Sequence, residues 1–275
     1  ASDALGYDMW ELIASNPDDN LNKTEFTQPA LLTASVAIWR EYLANGGETP
    51  SHLAGHSLGE YSALVCADVL SLSDAVKLVQ KRGQYMQQAV PAGTGAMAAI
   101  IGLDDDKIAV ACEQASEGQI VSPVNFNSPG QVVIAGNKEA VERAMILVKE
   151  AGAKRALPLP VSVPSHCALM KPAADQLAKD LAELNFNDPK ITVVNNVDVN
   201  KATSASDIKD ALVRQLYSPV RWTETIQSLA TEGVTEVIEF GPGKVLTGLG
   251  KRIDKSMAYS SANDVESIKA AVAAE

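Results

Sequence analysis

The chain has 275 residues, a formal net charge of −11 and 46% hydrophobic residues. That length supports one large domain or two modest ones with sizeable cores, and the acidity argues against nucleic acid or an anionic membrane as the main partner. No apolar run is long enough to span a bilayer, the first residues lack the pattern of a signal peptide, and Cys66, Cys112 and Cys167 are too scattered for a disulfide framework or a metal site. These features predict a cytoplasmic protein without a metal centre.

In chain order, residues 29–45 place Leu31, Leu32, Val36, Trp39 and Leu43 at helical spacing and stop at Gly46-Gly47. The apolar run His52-Leu53-Ala54 then meets Gly55-His56-Ser57-Leu58-Gly59, a G-x-S-x-G box, and a helix opens from Glu60. Strand, tight turn and helix are the sequence form of a nucleophile elbow. The glycines leave room for a strained turn, the serine stands at its apex, and the new helix N-terminus aims free N–H groups at a developing oxyanion. The competing reading is a Gly-rich turn with an incidental serine. A second helix, Asp74–Val90, ends at Pro91-Ala92-Gly93.

Residues 94–162 read as a separate inserted unit. Strands at 96–103, 120–126, 131–135 and 154–161 alternate with helices at 105–115 and 138–151, and Asn127-Ser128-Pro129-Gly130 makes a turn. The order β-α-β-β-α-β is ferredoxin-like. Residues 1–93 and 163–275 form the other lobe, with helices at 167–184, 206–217, 223–231 and 244–252 and strands at 191–199 and 235–240. Alternating strands and helices predict an α/β, hydrolase-like core with a mainly parallel sheet, and a cleft between the lobes is the natural ligand site.

A serine nucleophile needs a base, and three histidines are available. His56 adjoins Ser57 in a sharp turn, where neighbouring side chains diverge, so it reads as packing or orienting the elbow. His52 sits at the strand entrance. His166, in Val163-Pro164-Ser165-His166, lies at the lobe boundary after the serine, and it is the favoured base; a helix-start histidine satisfied by backbone is the alternative. Cys167 reads as a small buried hydrophobe rather than a thiolate nucleophile. On the second helix, Ala75, Leu78, Val79, Arg82 and Met86 share one face. A guanidinium on an apolar stripe needs an anionic partner, which is either a structural ion pair or a substrate carboxylate gripped by its fork.

Together with these features, the segments Gly55–Tyr61, Lys81-Arg82-Gly83, Val124–Gln131, Val163–His166, Arg214–Tyr217 leading to Pro219–Trp222, and Glu239–Leu246 give the chain a resemblance over essentially its whole length. It resembles the malonyl-CoA:acyl carrier protein transacylases of bacterial type II fatty acid synthesis. The resemblance implies a ping-pong acyl transfer in which Ser57 is the nucleophile, His166 its base, and Arg82 the ligand of the malonyl carboxylate. It also implies that the Leu58 N–H is half of the oxyanion hole and that the Gln215 main-chain carbonyl orients the histidine. Asn125 and Asn127 would line the cleft, with Met86 beside Arg82; turn-forming asparagines are the alternative for the first two. Ser165 leaves more space than an aromatic would, which keeps methylmalonyl open as a second acyl group.

The implied partners are malonyl-CoA and an acyl carrier protein bearing phosphopantetheine, with no permanently bound cofactor and a monomeric enzyme. Such carriers are acidic, so docking needs a local basic patch, for which Lys154, Arg155, Lys171, Arg221, Lys244, Lys251 and Arg252 are candidates. Family members open with a strand ending in G-Q-G-S-Q, whose last glutamine supplies the other oxyanion donor. These 275 residues contain no such segment, and the expectation is that the full-length protein carries it. A serine esterase or thioesterase and a non-enzymatic carrier-binding fragment are the rival readings.

Overall fold

Two short parallel strand pairs and one four-stranded antiparallel sheet hold the strands of this mixed α/β chain. The computed structural model describes residues 1–161 and 163–273; Ser162, the last residue of the expected insert, and Ala274 and Glu275 lie outside the described residues. Helices α1 (Ser2–Leu5), α2 (Met9–Ser15) and α3 (Thr24–Ala44) lead to β1 (His52–Ala54), α4 (Leu58–Cys66) and α5 (Leu72–Ala89). Then come β2 (Gly95–Ile101), α6 (Asp105–Ser116), β3 (Val121–Ser128), β4 (Gln131–Asn137), α7 (Lys138–Glu150) and β5 (Arg155–Pro158). The chain continues through α8 (Lys171–Glu183), β6 (Thr192–Val194), α9 (Ala205–Gln215), α10 (Trp222–Thr231), β7 (Glu236–Phe240), α11 (Val245–Ile253), β8 (Ala258–Ala262) and α12 (Val265–Ala273).

The antiparallel sheet runs β3-β4-β2-β5. Its side chains alternate with period two. Ala98, Ile100, Val132 and Ile134 pack under α6 and α7, while Met97, Val133 and Ala135 join Val124 and Cys167 on the opposite face. The register pairs Ala98 with Ile134 and Met97 with Ala135. A one-residue slip would exchange the two faces, so the apolar pattern pins the pairing.

The parallel strands do not form one sheet. Strand β1 pairs with β6, and β7 with β8. The edges of β1 and β7 face a cavity of about 640 Å³, lined also by Trp39, Leu58 and Trp222. The strand expected at 191–199 is confined to Thr192–Val194. Asn195 turns the chain away: its Oδ1 accepts from the Asp198 N–H at 2.8 Å, its own N–H donates to Asn200 O at 2.9 Å, and Val199 adopts φ 54°. The helix expected at 167–184 begins later, at Lys171, after one tight turn, with Pro172 in its first turn.

Helix α5 is the spine of an extensive apolar core. Ala75, Leu78, Val79 and Met86 pack with Tyr61 and Leu64 of α4, Leu177 and Leu181 of α8 and Leu212 of α9. At Gly83 the α3 backbone comes so close that a Cβ would lie 2.7 Å from Glu25 Cα. That approach sets the first turns of α3, and with them Gln28, against Arg82.

Candidate active site

Ser57 caps α4 with φ 51° and ψ −109°, a sparsely populated conformation. Such strain costs about 1–3 kcal/mol and persists only where surroundings impose it. Here the surroundings are two amide side chains. Asn196 accepts from the Ser57 N–H at 2.7 Å and donates to Gly55 O at 2.7 Å, and Gln215 Nε2 donates to Ser57 O at 3.1 Å. The two box glycines differ. A Cβ on Gly55 would stand 1.9 Å from the Gly59 carbonyl carbon, whereas one on Gly59 would meet nothing within 4 Å. Only the first makes the tight turn sterically possible.

Ser57 Oγ lies 2.8 Å from His166 Nε2, and His166 Nδ1 lies 2.7 Å from Gln215 O. A carbonyl only accepts, so Nδ1 carries the proton and Nε2 offers its lone pair to the serine hydroxyl. Burial, aided by the charge of Arg82, pushes the imidazole down to about 3. The ring is therefore neutral at pH 7 and able to take a proton. His166 itself sits at φ 64°, with its N–H donated to Leu216 O at 3.1 Å.

Arg82 is 1% exposed, the largest fully buried side chain. Its Nη2 donates to Ser57 Oγ at 3.1 Å and Gln215 Oε1 at 3.0 Å, and its Nη1 donates to Gln28 Oε1 at 2.7 Å. The guanidinium lies over the Tyr61 ring, 5.3 Å from its centroid. Among the described residues no carboxylate pairs directly with it. Burial lowers its pKa, yet a guanidinium keeps its charge. A cation thus lies against the Ser57 hydroxyl with only neutral hydrogen-bond partners among the described residues.

The Leu58 N–H opens α4, where no carbonyl one turn back in the helix is available to it. His56 does not approach the serine hydroxyl as a base. Its Nε2 bonds Asn127 Oδ1 at 2.8 Å, its ring leans on Trp222, and burial lowers its pKa. Asn125 is a half-buried strand residue bridged to Val220, and its Oδ1 has no hydrogen-bond partner among the described residues. Ser165 is half-buried beside His166, and Met86 lies under Gln28, whose Nε2 is 3.7 Å from its sulfur. His52 pairs with Glu232 at 3.1 Å, remote from this chemistry. Cys167 is buried, its thiol pushed up to about 11 by burial.

The acyl transferase domain family matches residues 2–272. The chain belongs to the acyl transferase family. It is 64% identical over 272 residues to the malonyl CoA-acyl carrier protein transacylase of Escherichia coli strain K12, covering 99% of this chain and 88% of the relative. The transacylase of Bacillus subtilis strain 168 is 46% identical, with 99% and 86% coverage. Among solved structures, the Vibrio cholerae acyl carrier protein S-malonyltransferase superposes with TM-score 0.96 at 67% identity, covering 98% of this chain and 88% of its own. A type II PKS acyl-carrier protein in complex with its malonyl-transacylase gives 0.98 at 60% identity, covering 100% and 89%.

In this acyl transferase chain, three site residues escaped sequence reasoning: Gln28, Glu60 and Asn196, all buried. Glu60 Oε2 accepts from the Asn196 N–H and from Gln215 Nε2, each at 2.9 Å, and burial pushes its carboxyl up to about 7. The only sequence signal was position: Glu60 lies three residues after Ser57, and Asn196 just past a short apolar strand. Five of the seven basic candidates fall into two groups. Arg221 is tied to Glu224, and Lys171 lies over the Tyr217 ring. Lys154, Arg155 and Arg252 instead converge on one turn: Lys154 packs beside Gly102, Arg155 pairs with Ile101, and Arg252 Nη1 donates to Gln131 at 2.7 Å.

Proposed function

We propose that this chain transfers a malonyl group from malonyl-CoA to the phosphopantetheine thiol of an acyl carrier protein, through a malonyl ester on Ser57. The observation that carries the reading is the fork of Arg82, buried without a carboxylate partner and 3.1 Å from the nucleophilic oxygen. An ordinary serine hydrolase has no use for such a cation. An acyl group ending in a carboxylate supplies the missing anion, and a short one keeps that carboxylate within reach of Arg82 while its ester sits on Ser57. The relatives named for malonyl transfer and the carrier-bound relative support the same substrates.

The steps follow from the geometry. Ser57 Oγ attacks the thioester carbonyl carbon while its proton passes to His166 Nε2. The tetrahedral oxyanion faces the Leu58 N–H at the start of α4, where donors aimed at developing charge lower the barrier most. The carbon–sulfur bond breaks, the CoA sulfur takes the proton from His166, and the malonyl ester remains. The carrier thiol then gives its proton to His166 and attacks the ester carbon. The second tetrahedral intermediate collapses, and Ser57 Oγ recovers the proton as it leaves. Gln215 O holds the Nδ1–H throughout, stabilising the imidazolium that forms at each half-reaction without an acid behind it.

On the same reading, residues 1–93 and 163–275 are a hydrolase-like acyltransferase core and residues 94–162 a ferredoxin-like subdomain, whose sheet order and two helices fit that topology. Asn127 and His56 tie the end of β3 to the elbow, so Asn125, Asn127, Ser165 and Met86 are read as lining the substrate cleft. A single copy holds Ser57, His166 and Arg82 together, which supports a monomer, and a cytoplasmic location suits the three unpaired cysteines. No resident cofactor is required, and Lys154, Arg155 and Arg252 are the cations best placed to meet an acidic carrier.

The test is intact mass measurement after mixing with malonyl-CoA, followed by addition of holo carrier protein. A malonyl adduct that is absent in Ser57→Ala and is discharged onto the carrier faster than onto water is the expected result. Adduct lost to water faster than to carrier returns the chain to a thioesterase. No adduct, with carrier still bound, leaves it a binding protein.

A further inference from the structure

Glu60 is a carboxylate with 2% exposure, and no step of the proposed chemistry uses it. It stands behind the nucleophile on the first turn of α4 and reaches no other charged group within ion-pair distance among the described residues. What it touches is Gln215. The Gln215 amide is fully buried, and its two ends face different charges: Oε1 accepts from Arg82 Nη2 at 3.0 Å, and Nε2 donates to Glu60 Oε2 at 2.9 Å. Its main-chain oxygen receives His166 Nδ1–H at 2.7 Å. One residue therefore contacts the base, the cation and the buried carboxyl group.

An amide is chemically two-ended, and its orientation is set by its partners. Reversed, Gln215 would turn its NH₂ against a guanidinium and its oxygen against the Glu60 oxygen that the Asn196 N–H holds as an acceptor, losing both hydrogen bonds and creating two repulsive contacts. Glu60 enforces the observed orientation. The arrangement also answers how a buried arginine is kept without blocking its use. A carboxylate placed directly on the fork would compensate Arg82 but occupy the face a substrate needs. An amide inserted between the two satisfies one N–H of the cation, while among the described residues no protein carboxylate takes the place a substrate carboxylate would occupy. Gln28, a second neutral amide, does the same at Nη1.

We infer that Glu60 is a positioning residue for acyl-group selection: by locking the Gln215 amide it aims the Arg82 fork at the carboxylate of the acyl chain on Ser57. The inference rests on the malonyl-transfer reading above and deepens it. Asn196 belongs to the same lock, because its N–H holds Glu60 Oε2 at 2.9 Å while its side chain holds the Ser57 N–H at 2.7 Å.

Four proteins test it: wild type, Arg82→Ala, Glu60→Asp and Glu60→Gln, each assayed for kcat/KM with malonyl-CoA and acetyl-CoA and for thermal stability. Glu60→Asp draws the acceptor back by one methylene. Its malonyl-over-acetyl ratio is expected to fall by about 10- to 100-fold, the scale of a lost charge-assisted contact, towards that of Arg82→Ala. Glu60→Gln still offers one oxygen to both N–H donors and is expected to keep the ratio within about threefold of wild type. Loss of activity on both thioesters in equal proportion, or a ratio lost as fully in Glu60→Gln as in Glu60→Asp, overturns the inference. Failure of the wild type to prefer malonyl-CoA would instead overturn the parent reading.

Discussion

Two regions of the molecule bury opposite kinds of side chain. Among the described residues from 94 to 161, helices α6 and α7 cover a sheet of alanine, valine and isoleucine, and Ser128 is the one buried polar side chain. Around Ser57, by contrast, Gln28, Glu60, Arg82, His166, Asn196 and Gln215 are buried together and bonded to one another. Apolar burial is non-directional and tolerant, whereas a buried polar group is costly unless every partner is in place. The antiparallel sheet and its two helices therefore add to stability, whereas the polar network around Ser57 is held at a cost to stability. Substitutions in the two regions should fail in different ways.

The largest effect is expected at Arg82. In Arg82→Ala, kcat/KM for malonyl-CoA should fall by about two to three orders of magnitude, corresponding to the roughly 3–5 kcal/mol of a broken buried pair. Acetyl-CoA, which has no second carboxylate, should lose far less. Steady-state assays on both thioesters give the answer, and an unchanged preference for malonyl-CoA refutes the carboxylate anchor.

The matching probe of the insert is Ile134→Ala. Ile134 has no exposed surface and sits at the centre of β4 beneath the two helices. Cavity formation should cost about 2–5 kcal/mol, seen as a drop in denaturation midpoint, while kcat/KM per folded molecule stays within about twofold of wild type. A comparable loss of kcat/KM at full occupancy of the native state would mean that the insert shapes the site more tightly than Asn127 and His56 imply.

The same contrast explains what could be read from the chain. The insert's strands and helices were legible because alternation and 3.6-residue spacing are local properties. The elbow was legible for a related reason, its parts being contiguous from His52 to Ala67. Arg82 was legible as an error in an otherwise apolar stripe. The polar network was not, because each member is one residue in an unremarkable place. Glu60 looks like an ordinary first-turn acid suited to a helix dipole, Gln28 precedes a proline in a helix, and Asn196 was submerged in a strand read as running from 191 to 199. Partners separated by 136 and 155 positions, as in Asn196–Glu60 and Gln215–Glu60, leave no periodic trace.

The network should also shape stability against pH, through two groups of opposite sign. His166 is pushed from 6.5 to about 3, so between those values the unfolded chain binds a proton that the native state refuses, and stability rises with pH. Glu60 is pushed from 4.5 to about 7, so there the native state holds the proton more tightly and stability falls as pH rises. Between about pH 4.5 and 6.5 the two oppose, each by at most about 1.4 kcal/mol per pH unit. Denaturation across that window should show the slope becoming more negative in His166→Gln and more positive in Glu60→Gln, each compared with wild type. Slopes that shift in the same direction would show that the two groups do not titrate as their burial dictates.

The smallest effect is expected at Gly59, and it separates two glycines that look equivalent in the G-x-S-x-G box. Gly59 lies inside α4 with open space where a Cβ would go. Gly59→Ala should therefore stabilise the fold by about 0.5–1 kcal/mol, the helix preference of alanine over glycine. Gly55→Ala would drive a methyl to within 1.9 Å of the Gly59 carbonyl carbon, and only backbone movement could relieve it. Since Ser57 keeps its strained conformation through Asn196 and Gln215, and Asn196 Nδ2 also holds Gly55 O, that movement would pull on the same network that positions Arg82 and His166. Thermal midpoints of the two variants should move in opposite directions. If both fall, then Gly59 is held by a constraint other than space, and the turn needs both glycines after all.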